Sequence, residues 1–102
     1  MVYEVVWTPK ALESFRGVME YLQNKWTLKE QHRFAEIVEE KIISLSLHPE
    51  IGKPKSKINK DIRQAFLHKR VLLIYRIKHK TKIVELLLFW NTYQHPARLK
   101  LK

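Results

Sequence analysis

Three apolar runs in the second half of the chain predict β-strands. They cover residues 62–67, 71–77 and 83–90, are rich in branched and aromatic side chains, and contain no Gly or Pro. The links between them are too short for a parallel crossover, so the strands are predicted to form an antiparallel meander. The second and third runs barely alternate between apolar and polar residues. This pattern is typical of strands covered on both faces, or of a sheet that curls around another element.

Apolar residues in the first half recur every three or four positions, which predicts helices. A run of Val and aromatic residues at positions 2–7 first predicts an edge or joining strand. Thr8 and Pro9 then start a helix, because threonine caps free amides and proline fits the first turn. Gly17 within this helix is consistent with close packing against a neighbouring element. The apolar face of the helix comprises Leu12, Phe15, Met19, Leu22 and Trp26.

A second helix follows almost at once, since residues 27–30 form the capping box T-x-x-E. Pro49 ends it, because the residue before a proline is pushed out of the helical region. Its apolar stripe comprises Phe34, Val38, Ile42 and Leu45, widened by Leu28, Ala35 and Ile37. The predicted fold is α+β in the order β-α-α-β-β-β. An antiparallel helix hairpin packs on a curved, mainly antiparallel sheet that the C-terminal meander completes.

The segment between the helices and the meander, residues 49–60, is predicted to be a loop. It contains two prolines, one glycine and four lysines, namely Lys53, Lys55, Lys57 and Lys60. Long loops of this kind are uncommon in compact domains and are often binding segments. The lysines would line one edge of the sheet with positive charge that could hold phosphate. A solvated linker is the alternative, and the sequence favours neither.

Charge is distributed unevenly along the chain. Residues 1–50 carry a net charge of −2 and residues 51–102 a net charge of +12, which gives +10 in total. Solubility alone needs no such segregation. A strongly basic half attracts nucleic acid, an acidic protein partner, or both. The sequence therefore predicts an anionic partner for the half that contains the meander.

Length and composition restrict the class of protein further. The chain has 102 residues, 45% of them apolar, which predicts one domain spanning residues 1–102. It has no cysteine, so disulfides and thiolate metal sites are excluded. No histidine pair has metal-ligand spacing within one element, and we expect neither a metal nor another cofactor. The N-terminus lacks a basic region followed by an apolar run, so we expect a soluble, cytoplasmic protein without a membrane segment.

Taken in order, these features resemble the RelE/ParE superfamily of bacterial type II toxins. The resemblance covers essentially the whole chain and is carried by the order and spacing of several segments. These are W-T-P-K-A-L at residues 7–12, the loop H-P-E-I-G-K-P, Arg63, Y-R-I at residues 75–77 and the ending F-W-N-T-Y-Q-H-P-A-R-L. The resemblance implies a single toxin domain that arrests growth. It also implies neutralisation by a cognate antitoxin whose acidic, disordered tail folds onto the basic surface, in a complex of unknown stoichiometry.

Members of this superfamily act in two ways. RelE-like toxins cut mRNA in the ribosomal A site, whereas ParE-like toxins inhibit DNA gyrase and are not nucleases. Cleavage requires a base, an acid and cations around the phosphate that the RNA 2′-hydroxyl attacks. Under the RelE-like interpretation, the candidate catalytic residues are Arg63, Arg76, Tyr93 and His95. Candidate residues for binding nucleic acid or another target are Lys53, Lys55, Lys57, Lys60 and Trp90.

Each candidate also has a structural interpretation. Arg63 and Arg76 could hold the sheet or pair with Asp61 or Glu85, and Trp90 could be a half-buried strand end. Residues 91–94 lack the arginine-rich segment found in many RelE-like enzymes. We therefore favour a ParE-like gyrase inhibitor. The alternatives are a RelE-like mRNA endoribonuclease and a non-toxic module that only binds its antitoxin.

Overall fold

The computed structural model describes residues 2–68 and 71–92 and consists of a helix hairpin packed on one face of a five-stranded sheet. The elements are β1 Glu4–Trp7, α1 Pro9–Gln23, α2 Leu28–Leu47, β2 Lys53–Pro54, β3 Ile62–His68, β4 Val71–Lys78 and β5 Ile83–Asn91. The α+β prediction is confirmed. The loop prediction needs one correction, because this segment contains a 3-10 turn at Pro49–Ile51 and the two-residue strand β2.

The strands are ordered β1-β5-β4-β3-β2 across the sheet. The meander is antiparallel as predicted, and β2 adds antiparallel to β3. Strand β1 pairs parallel with β5, because the helix hairpin carries the chain back over one face of the sheet. Register shifts interrupt the β3–β4 ladder between Phe66 and His68, and the β4–β5 ladder between Ile74 and Tyr75.

Both helices begin with the predicted caps. Thr8 accepts a hydrogen bond from the Ala11 amide at 3.1 Å, and its hydroxyl donates to the Leu86 carbonyl at 2.7 Å, which ties α1 to β5. Thr27 and Glu30 form a complete capping box at the start of α2. Within residues 2–68 and 71–92, neither helix has the length and apolar character needed to cross a membrane.

The predicted apolar faces of both helices are largely the ones that pack on the sheet. The core includes Leu22, Trp26, Phe34, Val38 and Leu45, and Phe15, Met19, Ile37 and Ile42 pack against it. Three predicted positions are exposed instead. Leu12 is 41% exposed and Ala35 is exposed, whereas the residues before them, Ala11 and Phe34, are fully buried. Successive helix positions lie about 100° apart, so at these two places the preceding residue faces the core. Leu28, six positions before Phe34, is 67% exposed for the same reason.

The prediction of close packing at Gly17 is also wrong. A Cβ atom placed on this residue would have no neighbour within 4 Å, and the position is exposed in the middle of α1. Gly17 instead lines a surface groove of about 340 Å³ between α1 and the end of β5.

Strand β4 is covered on both faces at its centre, as the lack of alternation predicted. Leu73, Tyr75 and Ile77 belong to the core that the sheet shares with the helices. Ile74 points to the opposite face and is also fully buried.

Candidate functional site

The two arginines proposed for catalysis lie on opposite faces of the sheet. Arg63 is paired with Tyr75 across β3 and β4, whereas Arg76 is paired with Ile62 and with Glu85. Directly paired residues share a face, and successive residues alternate between faces. Arg63 therefore lies on the helix-covered face with Tyr75, and Arg76 lies on the other. The structure does not bring Arg63 and Arg76 together.

On the helix-covered face, Arg63 and Tyr75 hold the turn that precedes β2. The Arg63 Nη1 atom donates to the Gly52 carbonyl at 2.8 Å and to the Glu50 carbonyl at 3.3 Å. The Tyr75 hydroxyl donates to the Pro49 carbonyl at 2.7 Å and accepts from the Gly52 amide at 2.9 Å. A carboxylate oxygen of Glu50 lies 3.8 Å from Arg63 Nη2, so this arginine pairs with Glu50. The start of the lysine-containing segment, residues 49–60, is thus fixed to the sheet.

Only glycine is compatible with this arrangement at position 52. A Cβ atom there would lie 2.5 Å from the Tyr75 hydroxyl and 2.7 Å from the Gln64 carbonyl. Burial raises the pKa of the Tyr75 phenol above its ordinary value of 10.0, and this effect outweighs the opposing influence of the Gly52 amide and Arg63. The phenol therefore stays protonated at neutral pH and keeps its donor hydrogen.

Arg76 belongs to a small ionic network on the face opposite the helices. Its Nη1 lies 3.7 Å from Glu85 Oε1, and Lys78 Nζ lies 3.3 Å from Glu85 Oε2. The pairing of Arg76 with Glu85 proposed from the sequence is present. Asp61 instead lies 3.4 Å from His79 Nε2.

The predicted binding residues are distributed along the β2 edge and the meander. Lys53 lies in β2, and the Lys55 amide donates to the Ile62 carbonyl at 2.8 Å. Lys57 and Lys60 lie in the exposed turn between β2 and β3. The pairing register places Lys53, Arg76 and Trp90 on the same face of the sheet, the one opposite the helices. Tyr93 and His95 lie outside the described residues.

Comparison with known families agrees with this architecture. The sequence matches the model of the family described as "ParE toxin of type II toxin-antitoxin system, parDE" over residues 5–96. The chain belongs to this family. It is therefore a toxin of the RelE/ParE superfamily, and the recognition made from the sequence is confirmed. Comparison with curated protein sequences gave no match.

Solved structures similar to this toxin show the same fold. One is the toxin-antitoxin complex RelBE2 from Mycobacterium tuberculosis, with a TM-score of 0.62, 23% identity, and coverage of 89% of this chain and 99% of that chain. Another is a mutant of the E. coli toxin RelE in the free state, with a TM-score of 0.63, 16% identity, and coverage of 93% and 88%. At these identities the likeness concerns the fold alone.

Sequence reasoning missed the joint role of Tyr75, Gly52 and Arg63 in this toxin. A signal was available, because Gly52 directly precedes the first lysine of residues 49–60 and Tyr75 is a hydroxyl-bearing residue that follows the aliphatic run of residues 71–74. No spacing rule connects them, since they meet only after β3 and β4 pair. Among the residues that the structure describes, no three His, Cys, Asp or Glu side chains form a group that could hold a metal ion.

Proposed function

We propose that this toxin arrests growth by inhibiting DNA gyrase rather than by cutting RNA. The observation that carries the proposal is the match to the ParE toxin family over residues 5–96. Toxins of this type act by binding their target and need no acid or base. The lysine and arginine side chains proposed from the sequence then serve to bind an anionic or polar surface of the partner.

The contacts of the two arginines support a binding role. Cleavage by a 2′-hydroxyl needs cations gathered at one phosphate together with an acid and a base. Arg63 is 13% exposed and is committed to the Glu50 and Gly52 carbonyls on the helix-covered face. Arg76 lies on the other face, where its charge is shared with Glu85. This arrangement favours structural and binding roles for both side chains.

The uneven charge supports an acidic antitoxin as the neutralising partner. The half of the chain with the meander carries a net charge of +12. A disordered acidic tail can cover a large part of such a surface, and charge pairing with apolar burial offsets the cost of ordering it.

Induction of the toxin alone in a bacterial host tests the target. Incorporation of labelled thymidine and labelled methionine is followed over the first minutes, and purified toxin is added to a gyrase supercoiling assay. We expect thymidine incorporation to fall first and supercoiling to be inhibited in a dose-dependent way. A folded chain that leaves gyrase unaffected would contradict the proposal.

The same experiment identifies the alternatives. If methionine incorporation stops first, the toxin is an mRNA endoribonuclease of the RelE-like kind. Single substitutions would then assign the chemistry, at Lys53, Lys55, Arg63, Arg76, Tyr93 and His95. If neither falls although soluble protein is made, the chain is a non-toxic antitoxin-binding module.

A further inference from the structure

The outer edge of β3 is only partly covered by β2. Strand β3 spans Ile62–His68, but β2 contains two residues, which pair with Arg63 and Gln64. The same register would place Ile51 opposite Phe66, but Ile51 belongs to the 3-10 turn. Among the described residues, the edge of β3 beyond Gln64 therefore has no strand partner.

The backbone of Phe66 faces this open edge. The Ile62 carbonyl accepts from the Lys55 amide, so the backbone polar groups of Ile62 point toward β2. In an antiparallel pair these groups alternate in direction along the strand, so those of Gln64 and Phe66 point the same way. Gln64 is paired with Lys53, whereas Phe66 extends past the end of β2. An edge with free amide and carbonyl groups is a template for another strand.

A groove of about 430 Å³ lies at this position, and its lining includes Lys41, Ile51, Lys53, Gln64 and Phe66. Two of its large apolar residues are unusually exposed, Phe66 at 60% and Ile51 at 48%. Among the described residues of the lining, the charged ones are Lys41 and Lys53, which come from α2 and β2. The groove therefore combines an apolar surface, an open strand edge and two cations.

We propose that this groove binds an extended acidic segment of the antitoxin, which adds a short strand to β3 at Phe66. Apolar side chains of the segment pack on Phe66 and Ile51, and carboxylates pair with Lys41 and Lys53. The inference rests on the proposed antitoxin with an acidic tail. It adds the place and the mode of contact.

Two features of the edge define the occupant. The register shift after Phe66 interrupts the regular geometry of β3, so the added strand is short and its backbone bonds are supplemented by side-chain contacts in the groove. A second copy of this chain docked edge to edge would bring Lys41 and Lys53 of one copy toward the same lysines of the other. Like charges at such an interface oppose association, so an acidic peptide is favoured over self-pairing.

A synthetic peptide tests the groove without knowledge of the antitoxin. The probe is acetyl-Glu-Asp-Val-Ile-Val-Asp-Glu-amide with a fluorescent label, titrated with the whole toxin at physiological salt. Hydrogen exchange of backbone amides is measured by NMR on the same complex. We expect saturable binding and slower exchange of the Phe66 amide, because that group gains a backbone partner.

Charge reversal separates the groove from general electrostatic attraction. Lys41→Glu with Lys53→Glu should weaken binding by about tenfold, since both lysines contact the peptide, whereas distant charges are largely screened. Lys80→Glu with Lys82→Glu makes the same change in net charge in the exposed turn between β4 and β5, far from the groove, and should alter affinity by about twofold or less. Equal weakening by both pairs, or unchanged exchange at Phe66, would overturn the proposal.

Self-association of the toxin would be distinguished by sedimentation and by amide protection without peptide. If the free chain dimerises in sedimentation experiments and the Phe66 amide is protected without peptide, the edge belongs to a second copy and the proposal is wrong. The gyrase assay is independent of these measurements. If the toxin binds the peptide but does not inhibit gyrase, only the proposed target is refuted. If it inhibits gyrase but does not bind the peptide, only the proposed binding groove is refuted.

Discussion

Removing one oxygen atom from Tyr75 tests whether the sheet fixes the start of the lysine-containing segment. The side chain is fully buried, and its hydroxyl donates to the Pro49 carbonyl and accepts from the Gly52 amide. In Tyr75→Phe, the buried Gly52 amide and the part-buried Pro49 carbonyl lose their partner. Each unsatisfied buried group costs about 1–3 kcal/mol, so we expect the free energy of unfolding to fall by about 2–4 kcal/mol.

Urea unfolding followed by the fluorescence of the three tryptophans measures this loss. Tyr3→Phe is the matched control, because the Tyr3 hydroxyl is bonded to His79 at an exposed site, where water can replace the lost partner, and the same change there should alter stability by less than about 0.5 kcal/mol. The slope of free energy against urea should be unchanged in both variants. A loss in Tyr75→Phe no larger than in the control would refute the assigned role of the hydroxyl.

Alkaline pH provides a second readout of the same group. Since burial raises the pKa of the Tyr75 phenol above 10.0, the folded state holds this proton more tightly than the unfolded chain does. The tighter proton binding stabilises the folded protein. This contribution is fully present below the pKa that the phenol has in the unfolded chain, and it is lost as the pH rises through the pKa in the folded protein. Tyr75→Phe should therefore lose less stability than the wild type above about pH 10. Parallel pH profiles for the two proteins would contradict this assignment.

Three further substitutions test local features by urea unfolding. Gly17→Ala should stabilise the toxin by about 0.5–1 kcal/mol, because the added methyl meets open space and reduces the freedom of the unfolded chain; no gain would indicate a contact at this site. Thr27→Ala should cost about 1 kcal/mol by removing the α2 cap, whereas Thr81→Ala in an exposed turn should cost little. Arg63→Gln should cost about 2 kcal/mol through the lost bonds to Glu50 and Gly52, although removal of its unpaired Nε offsets part of this; unchanged stability would show that these bonds contribute nothing.

Local patterns in the sequence were sufficient to predict the helices, the main strands and their order along the chain. The T-x-x-E box placed the start of α2 correctly, and short connections required antiparallel pairing of the meander. These features depend on neighbouring residues and on chain length, which are visible without a structure. The same order of segments was enough to recognise the superfamily.

The two-residue strand β2 was not predicted, because Lys53 and Pro54 have low strand propensity and form a strand only where β3 offers its edge. One position of the predicted α1 face, Leu12, was wrong for a related reason. Periodicity locates an apolar stripe, but the element packed against it decides which residues of that stripe are covered. Leu12 is consequently exposed and Ala11 is buried.

The sequence by itself determined the helices, the three main strands, the basic half and the family. Only the tertiary structure decided that Arg63 and Arg76 face opposite sides, that Gly52 meets Tyr75 across 23 positions, and that the edge at Phe66 stays open. The physical reason is the register of the sheet. A shift of one residue moves every side chain to the other face, and that register is set by contacts between segments far apart in the chain.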